Sequence, residues 1–256
     1  MGRSYTYQDI CAALRNAGIG EGDSLFIHSN IGFFGTLEGA NDPAGLCGQF
    51  VGAIREVLGK EGTLIVPTFT YSFCHGEIFD PDRTASGCGL LAEYMRTIPG
   101  SLRSMDPNFS VAAMGRLAKY YTDAWPHEAF GADSFWERLL KQNGRIACFN
   151  FDGGSTFVHY VERCCNVPYR YNKAFNGVMI QDGKEYRDYA VHYVYAQERP
   201  EDGPYFERLD KLLREQTFCQ RESLGRGSIL SFPVKEYKEF IEEILAMRPR
   251  FLTKGE

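Results

Sequence analysis

Residues 24–35 read SLFIHSNIGFFG, and residues 62–67 read GTLIVP. Each stretch holds a short apolar run, at residues 25–27 and 64–66, of the length that forms a buried strand. Between the two runs, apolar residues recur at helical spacing after Pro43, which suits the first position of a helix. This order of strand, loop, helix and strand predicts an α/β fold in which helices pack on a sheet.

The rest of the chain continues the alternation of apolar runs and helical patterns. A third strand is predicted at residues 145–149, a strand pair at 186–195, and a helix or a strand leading into a helix at 109–118. Helical patterns cover residues 4–18, 90–96, 135–142, 157–165, 210–216 and 234–247. No repeat, linker or change of composition divides the chain, so we expect one domain over residues 1–256.

The composition excludes several classes of function. The net charge of −5 argues against a general binder of nucleic acid, because such proteins carry a basic excess. No apolar run reaches the length of a membrane span, and the first residues lack the apolar core of a signal peptide, so we expect a cytoplasmic protein. The eight cysteines form no C-x-x-C pair, which argues against a metal site.

Three predicted strands end in loops of small and polar residues, at positions 28–35, 68–72 and 152–156. Ligands of open α/β sheets bind outside strand ends, where such loops meet. The first loop resembles a phosphate cradle, because its glycines give access to backbone N–H groups near a helix start. It matches neither the Walker pattern nor G-x-G-x-x-G, so it identifies no ligand by itself.

Thr156, His159 and Glu162 are spaced three residues apart in a helical pattern, so their side chains share one face. A neutral imidazole accepts a proton near pH 7, and a carboxylate one turn away can fix its tautomer. The same spacing also suits a surface stripe that only stabilises the helix. The pattern alone leaves both interpretations open.

Residues 167–173 place Arg170 and Lys173 among tyrosines. Arginine can clamp a phosphate, and tyrosine rings can stack on a base or a sugar. A solvated basic loop is the alternative interpretation of this segment.

Cys74 and Cys164 are candidate nucleophiles of a thiol hydrolase. Cys164 lies five residues after His159, a spacing that does not bring the thiol to the face of the imidazole. Cys74 precedes His75 directly, which says little about contact in the fold. Buried, unreactive thiols are the commoner case, so this alternative is weaker than the Thr-His-Glu stripe.

An ordered set of motifs resembles the aminoglycoside 3-N-acetyltransferase family. The motifs are GDSLFIHS at 22–29, GTLIVPTF at 62–69, FDP at 79–81, Arg96, PGSLRS at 99–104, PNFSVAAMG at 107–115 and T-x-x-H-x-x-E at 156–162. Their order along more than half of the chain is more specific than any one of them. The chain departs from the family at MDP, residues 105–107, where the family usually has a histidine before the proline.

The resemblance implies a three-layer α/β/α sandwich around a central mixed sheet. It also implies transfer of an acyl group from an acyl-coenzyme A, such as acetyl-coenzyme A, to the amine of an amino sugar. His159 would take the amine proton with the support of Glu162, and a loop N–H or the Thr156 hydroxyl would stabilise the oxyanion. Direct attack of this kind requires neither an acyl-enzyme nor a metal.

The resemblance and the strand-end loops together predict two further sets of site residues. Coenzyme A is expected to contact His28, Ser29, Asn30, Gly32, Gly35, Arg103, Ser104, Ser110 and Val111. The acceptor is expected to contact Thr68, Tyr71, Asp80, Asp152, Arg170 and Lys173.

Two acceptors fit the sequence. Arg170 and Lys173 favour a nucleotide-linked amino sugar, because they can bind its phosphates beside stacking rings. Glu77, Asp80 and Asp82 favour an aminoglycoside, which is a polycation, and the chain would then be an antibiotic-resistance enzyme. We expect the nucleotide-linked sugar.

Two broader questions stay open at this point. A non-catalytic protein that binds coenzyme A or another ligand on the same fold is the alternative from a different functional class. The adjacent rings of Phe33 and Phe34 suit either a pocket or an interface, so a homodimer is also open. Neither a nucleic acid nor a membrane is expected as a partner.

Overall fold

The computed structural model describes residues 4–123, 125–196 and 200–256. Within these ranges the strands are β1 (Ser24–Ser29), β2 (Thr63–Pro67), β3 (Leu102–Arg103), β4 (Val111–Gly115), β5 (Arg145–Phe149), β6 (Arg170–Gln181), β7 (Lys184–Tyr195), β8 (Gln220–Leu224) and β9 (Gly227–Pro233). The α-helices are α1 (Tyr7–Asn16), α2 (Pro43–Leu58), α3 (Ser72–His75), α4 (Leu90–Thr97), α5 (Ala118–Thr122), α6 (Phe135–Lys141), α7 (Phe157–Cys164), α8 (Glu207–Leu213) and α9 (Val234–Met247).

Seven strands form a central sheet in the order β3-β4-β2-β1-β5-β9-β8. β1 runs parallel to β2 and to β5, whereas β4 and β9 run antiparallel to their neighbours β2 and β5. The parallel pair of β1 and β2 needs a crossover connection, which α2 supplies. The sheet is therefore mixed, as the sequence predicts.

Helices cover both faces of this sheet. Leu25 and Ile27 of β1 belong to one core, which they share with residues of α1, α2 and α4. Phe26 points to the opposite face and belongs to a second core with residues of α6, α7 and α9. Because neighbouring side chains of a strand point to opposite faces and both faces are covered, residues 25–27 of β1 are all apolar. The predicted three-layer α/β/α sandwich is confirmed.

α2 begins at Pro43, as the sequence predicts, whereas α1 begins at Tyr7, inside the predicted helical pattern of residues 4–18. Thr6 Oγ1 accepts a hydrogen bond from the Asp9 N–H (3.2 Å), and the Asp9 carboxylate accepts one from the Thr6 N–H (2.8 Å). The carboxylate of Asp42 caps α2 by accepting from the Gly45 N–H at 2.7 Å. Each cap satisfies backbone donors that the first helical turn leaves free.

The central sheet contains three strands that the sequence patterns did not predict: β8, β9 and β3, which has only two residues and is too short to show a pattern. β8 is an edge strand of mostly exposed polar residues, so it lacks an apolar pattern. β9 is buried but obtains its partners from β5, about 80 residues earlier in the chain. Residues 109–118 contain β4 and the start of α5, so the alternative of a strand leading into a helix is the correct one.

Strands β6 and β7 form a separate antiparallel hairpin. The alternative interpretation of residues 167–173 as a solvated basic loop is wrong, because β6 begins at Arg170. Residues 186–195 belong to one strand rather than two. The Phe79 N–H donates to the Val178 carbonyl (2.9 Å), and the Ala129 N–H donates to the Val191 carbonyl (3.0 Å). These bonds fasten both strands of the hairpin to the body of the protein.

Candidate active site

His159 and Glu162, on one face of α7, are the centre of a largely buried polar cluster. His159 Nδ1 lies 2.6 Å from Glu162 Oε2, and the Glu162 side chain is fully buried. An ionised carboxylate only accepts hydrogen bonds, so Nδ1 must carry the proton that joins the two groups. This assignment leaves Nε2 of the neutral imidazole without a proton, and Nε2 is the atom that can act as a base.

Glu162 is held as a carboxylate by three neighbours. Its Oε1 accepts a hydrogen bond from the Tyr169 hydroxyl at 2.8 Å. Nε of Arg170 lies 2.9 Å from Oε2 and forms an ion pair there rather than an aligned hydrogen bond. Burial raises the pKa of Glu162, but His159, Arg170 and Tyr169 outweigh burial and lower it overall. The carboxylate is therefore charged at neutral pH.

Arg170 belongs to this cluster and not to a solvent-facing phosphate site. Its Nη1 donates to the Tyr193 carbonyl (2.8 Å), and its guanidinium stacks 3.7 Å from the ring centre of Tyr195. Nη2 lies 3.0 Å from Nδ1 of His159, and the Arg170 side chain is only 2% exposed. The structure thus removes Arg170 from the two cations that favoured a nucleotide-linked acceptor, because Arg170 is already paired with Glu162.

The pKa of His159 is lowered from its usual value. Burial is the largest cause, and the positive charge of Arg170 acts in the same direction, while Glu162 opposes both. His159 therefore stays neutral at a lower pH than a free histidine does. His159 and Glu162 thus form an oriented pair inside the protein, and the interpretation of a surface stripe that only stabilises the helix is wrong.

A pocket of about 570 Å³ opens beside the start of α7. Of the predicted residues, the pocket wall includes His28, Ser29, Asn30, Gly32, Tyr71 and Thr156. Pro67, Phe69 and Leu91 add an apolar side to it. Three strand-end segments meet at this pocket, as expected for an open α/β sheet.

His28 anchors the wall between β1 and α7. Its Nε2 lies 2.9 Å from Ser155 Oγ and accepts from the Thr156 N–H at 3.3 Å. Burial lowers the pKa of His28 to about 4, so the ring is neutral.

Tyr71, on the wall of the same pocket, has a backbone in the left-handed region, with a φ of 55°. A bulky residue rarely adopts this conformation, and such positions cluster at binding sites.

Arg103 is bound inside the protein. Its guanidinium donates to the backbone carbonyls of Thr68 (2.9 Å), Pro81 (3.0 Å) and Thr84 (2.6 Å). Its Nε lies 3.2 Å from the hydroxyl oxygen of Ser110, which itself donates to the Thr68 carbonyl. These bonds give Arg103 a structural role that ties β3 to the loop after β2. Its contact with coenzyme A stays a prediction.

Three other predicted residues near Arg103 are buried: Ser104, Ser110 and Val111. Ser104 Oγ accepts from the Val111 N–H at 2.9 Å, which joins β3 to β4. Thr68 is also fully buried, and its hydroxyl lies 3.0 Å from that of Ser110. The structure gives this group a packing role, and the ligand contacts expected of it stay predictions.

The remaining predicted residues lie apart from the α7 cluster. Asp80 accepts from the Asp82 N–H at 2.9 Å and so closes a turn beside the tip of the hairpin. Asp152 is exposed at the rim of a second pocket. Nζ of Lys173 lies 4.9 Å from the ring centre of Phe175. Gly35 has a φ of 103°, which only glycine adopts readily.

The residue before Pro107, where the chain departs from the family pattern, caps its own loop. The Asp106 carboxylate accepts from the N–H groups of Asn108 (2.8 Å) and Phe109 (2.9 Å). Burial raises the pKa of Asp106 to about 6. Asp106 therefore shapes the chain that follows it.

The cysteines lack the features of a nucleophile. Sγ of Cys74 lies 3.8 Å from Nδ1 of His192, but burial raises the pKa of this thiol to about 11. Burial lowers the pKa of His192 to about 3, so the imidazole does not form an ion pair with a thiolate. The pKa of Cys164 is raised as well. A reactive thiol needs the opposite shift.

Tyr169 and the pairing of Arg170 with Glu162 escaped the sequence analysis. Both residues follow α7 within ten positions, and their types were noted. Their partnership with Glu162 depends on β6 returning past α7, which no local pattern reveals. Among the described residues, no cluster of His, Cys, Asp and Glu could hold a metal ion, and no helix is long and apolar enough to cross a membrane.

The family model described as aminoglycoside 3-N-acetyltransferase matches residues 26–246. The chain belongs to this family. It is similar to aminoglycoside N(3)-acetyltransferase III from Salmonella sp, with 28% identity over 64% of the chain and 62% of that relative. The chain thus spans less than two thirds of this relative's length. The type VII enzyme from Streptomyces paromomycinus is 24% identical over 87% of the chain and 85% of its own length.

Solved structures share the fold of this chain. The structure titled AAC-IIIb binary with CoASH has a TM-score of 0.82 and 20% identity, and the match covers 96% of this chain and 98% of the other. The room-temperature structure of sisomicin-bound AAC-VIa has a TM-score of 0.83 and 22% identity over 96% and 99% of the two chains. The YokD protein from Bacillus subtilis has a TM-score of 0.77 with 19% identity over 94% and 99%.

Proposed function

We propose that the chain is an N-acetyltransferase that carries an acetyl group from acetyl-coenzyme A to an amine of an amino sugar of the aminoglycoside class. The observation that carries this proposal is the hydrogen-bonded pair of His159 and the buried Glu162 on α7, next to a pocket at the strand ends. Membership of the family supplies the reaction class.

His159 is the proposed base. An amine of the acceptor must lose a proton to become a nucleophile, and Nε2 of His159 is the free basic atom of the cluster. Glu162 holds Nδ1, so Nε2 keeps one direction and the imidazolium gains a negative neighbour once the proton arrives. The positive charge of Arg170 opposes this stabilisation of the imidazolium. It also lowers the pKa of His159, so the imidazole is neutral before it accepts the proton.

Acetyl-coenzyme A supplies the thioester whose carbonyl carbon the amine attacks. The 570 Å³ pocket suits its long arm, because the wall combines apolar side chains with the polar segment from Ser29 to Gly32. Thr156 lies on the wall of this pocket and one helical turn before His159. Its hydroxyl, or a backbone N–H of a neighbouring loop, is the proposed donor to the oxyanion.

The acceptor class rests on two observations. Named relatives of the chain are aminoglycoside N(3)-acetyltransferases. Arg170, one of the two cations that favoured a nucleotide-linked sugar, is buried against Glu162. We therefore propose an aminoglycoside acceptor in place of the nucleotide-linked sugar expected from the sequence.

Release of coenzyme A thiol from acetyl-coenzyme A tests this function. The purified chain is given either a panel of aminoglycosides or a panel of 3- and 4-amino nucleotide sugars. We expect thiol release with aminoglycosides, and mass spectrometry should find one added acetyl group on the acceptor. Release only with nucleotide sugars would contradict the acceptor class. Binding of coenzyme A without release for any acceptor would favour a non-catalytic binding protein.

A further inference from the structure

The hairpin of β6 and β7 places a cation and an imidazole side by side, and the proposed mechanism uses neither. Lys173 of β6 is directly opposite His192 of β7, so the two side chains lie on the same face of the hairpin. Sγ of Cys74 lies 3.8 Å from Nδ1 of His192. Burial raises the pKa of Cys74, and the positive charge of Lys173 opposes that shift. Lys173, His192 and Cys74 therefore form one group, which we call the hairpin face.

The hairpin face adjoins the proposed base. The ring of Phe130 packs edge-on against the His159 imidazole, with 5.7 Å between the ring centres, and it lies 6.2 Å from the His192 imidazole. Tyr71, on the wall of the 570 Å³ pocket, lies 6.3 Å from the same His192 ring. An aminoglycoside consists of several linked rings. With one amine at Nε2 of His159, such an acceptor is long enough to reach past Phe130 to the hairpin face.

Lys173 gives the hairpin face an unpaired positive charge. Its side chain is exposed, and among the described residues it forms no ion pair. Its Nζ lies 4.9 Å from the ring centre of Phe175, a contact that positions the ammonium without neutralising it. The charge is therefore available to an acceptor.

Carboxylates close to the hairpin have partners of their own. Glu128 lies 3.4 Å from the guanidinium of Arg163, and Asp188 lies 2.9 Å from Nε2 of His127. Asp106, whose charge also acts on the thiol of the hairpin face, accepts hydrogen bonds from two N–H groups of its own loop. The exposed charge that an acceptor meets on this face is thus that of the lysine.

A cation on this face distinguishes two groups of an acceptor. The amines of aminoglycosides are largely ammonium groups at neutral pH, whereas their hydroxyl groups are uncharged. Repulsion between two unit charges roughly 4 Å apart weakens binding about fivefold in water, and more where the site excludes water. A hydroxyl group meets no such repulsion, and its oxygen can accept a hydrogen bond from an ammonium.

We propose that Lys173 determines which aminoglycosides the chain accepts. It favours acceptors that present a hydroxyl group to the hairpin face, and it disfavours those that present an ammonium group there, while the reacting amine is at His159. This inference rests on the proposed function, because it concerns the acceptor of the same reaction. Lys173 acts on acceptor binding and takes no part in proton or acetyl transfer.

The test compares acceptors that differ at one position. Kanamycin A and kanamycin B carry a hydroxyl and an amine at position 2′, and paromomycin and neomycin carry them at position 6′. Thiol release from acetyl-coenzyme A gives kcat and KM for each. We expect the wild type to prefer the hydroxyl member of at least one pair by about fivefold or more in kcat/KM, mainly through KM. Lys173→Gln should remove this preference, and Lys173→Arg, which keeps the charge, should retain it.

Lys184→Gln is the matched control. It removes the same charge from an exposed position at the far end of the same hairpin, where β7 begins. The wild-type preference should remain in this variant. A rise in ionic strength should reduce the preference of the wild type, because salt screens exposed charges.

The contradicting results separate this inference from the proposed function. Equal kcat/KM within both pairs for the wild type, or a preference that Lys173→Gln leaves unchanged, contradicts this inference alone. Absence of turnover with every aminoglycoside contradicts the proposed function. Turnover of amino nucleotide sugars that Lys173→Gln weakens would assign the lysine to an acceptor phosphate and would contradict both.

Discussion

Glu162 is the residue on which the site depends. Its buried carboxylate accepts hydrogen bonds from His159 Nδ1–H and from the Tyr169 hydroxyl, and it forms an ion pair with Arg170. An isolated buried charge is unstable, and removing one partner leaves the other uncompensated. The cluster therefore fixes the orientation of His159 and its protonation state together.

Arg170→Gln should move the pH dependence of the reaction. Removal of the positive charge beside Nδ1 raises the pKa of His159, and the base must be neutral to accept a proton. The acidic limb of the profile of kcat/KM against pH should therefore shift to higher pH. Arg170→Lys keeps the charge and should shift the limb less. Glu162 and His192 also face this charge, so both stay in place in these variants.

Arg163→Gln is the matched control for Arg170. Arg163 lies on α7 and contacts Glu128 at 3.4 Å, so it is near the cluster without touching His159. Its profile should coincide with that of the wild type. If Arg170→Gln lowered kcat/KM by the same factor at all pH values, with no shift of the acidic limb, Arg170 would have only a structural role.

At the scale of elements, the β6–β7 hairpin is the part that completes the site. It carries Arg170, and it packs on the body through a small cluster of Phe73, Phe79, Met179 and Ala190. Gly177 of β6 lies against the ring of Phe73, and an added Cβ would overlap that buried ring. Close packing at this glycine therefore determines how closely the hairpin approaches α3, which carries Phe73.

Gly177→Ala should destabilise the protein by about 1–3 kcal/mol, because an extra methyl group in a packed interface forces a displacement. Denaturant unfolding of wild type and variant measures the change. Gly20→Ala is the control, since a Cβ there meets no atom within 4 Å. Its free energy of unfolding should differ from wild type by less than about 1 kcal/mol. Equal stability of the two variants would contradict the tight docking of the hairpin.

At the scale of the whole molecule, buried neutral histidines link stability to pH. The pKa values of His28 and His192 are lowered to about 4 and about 3, against about 6.5 for an unfolded histidine. Between about pH 4 and about pH 6.5 these two histidines are charged in the unfolded chain and neutral in the folded one, so the unfolded chain binds more protons. The free energy of unfolding therefore falls as pH falls from about 6.5 towards 4. Asp106, with a pKa of about 6, acts in the opposite direction over part of this range.

His192→Phe should weaken this dependence. The variant removes one histidine that must stay neutral and places an apolar ring among Phe109, Phe130 and Phe175. Between pH 7 and pH 5 the variant should lose up to about 2 kcal/mol less stability than the wild type does. Asp106 contributes equally to both proteins, so it cancels in the comparison. Denaturant titrations at the two pH values measure the free energy of unfolding. If wild type and variant lost the same free energy between pH 7 and pH 5, the buried neutral state of His192 would be contradicted.

The sequence predicts what local patterns encode. The apolar runs of β1, β2 and β5 and the start of α2 at Pro43 are visible because neighbouring residues determine them. The edge strand β8 and the hairpin strand β6 are not, because their side chains are mostly exposed and their partners lie far away or across a turn.

The same distinction holds for the site. His159 and Glu162 were predicted because one helix carries both at a spacing of three. The pairing of Arg170 with Glu162, and the contact of His192 with Cys74, join different elements. Residue type made Arg170 a phosphate ligand in the sequence interpretation, and only the fold shows that it is buried.

The most direct test of the central claim compares wild type and His159→Ala in two measurements: acceptor-dependent release of coenzyme A thiol, and affinity for coenzyme A by titration. If Nε2 of His159 is the base, the variant should lose about 10²- to 10⁴-fold in turnover. Its affinity for coenzyme A should stay near that of the wild type, because the imidazole lies outside the pocket lining. Turnover close to wild type in the variant would contradict the account.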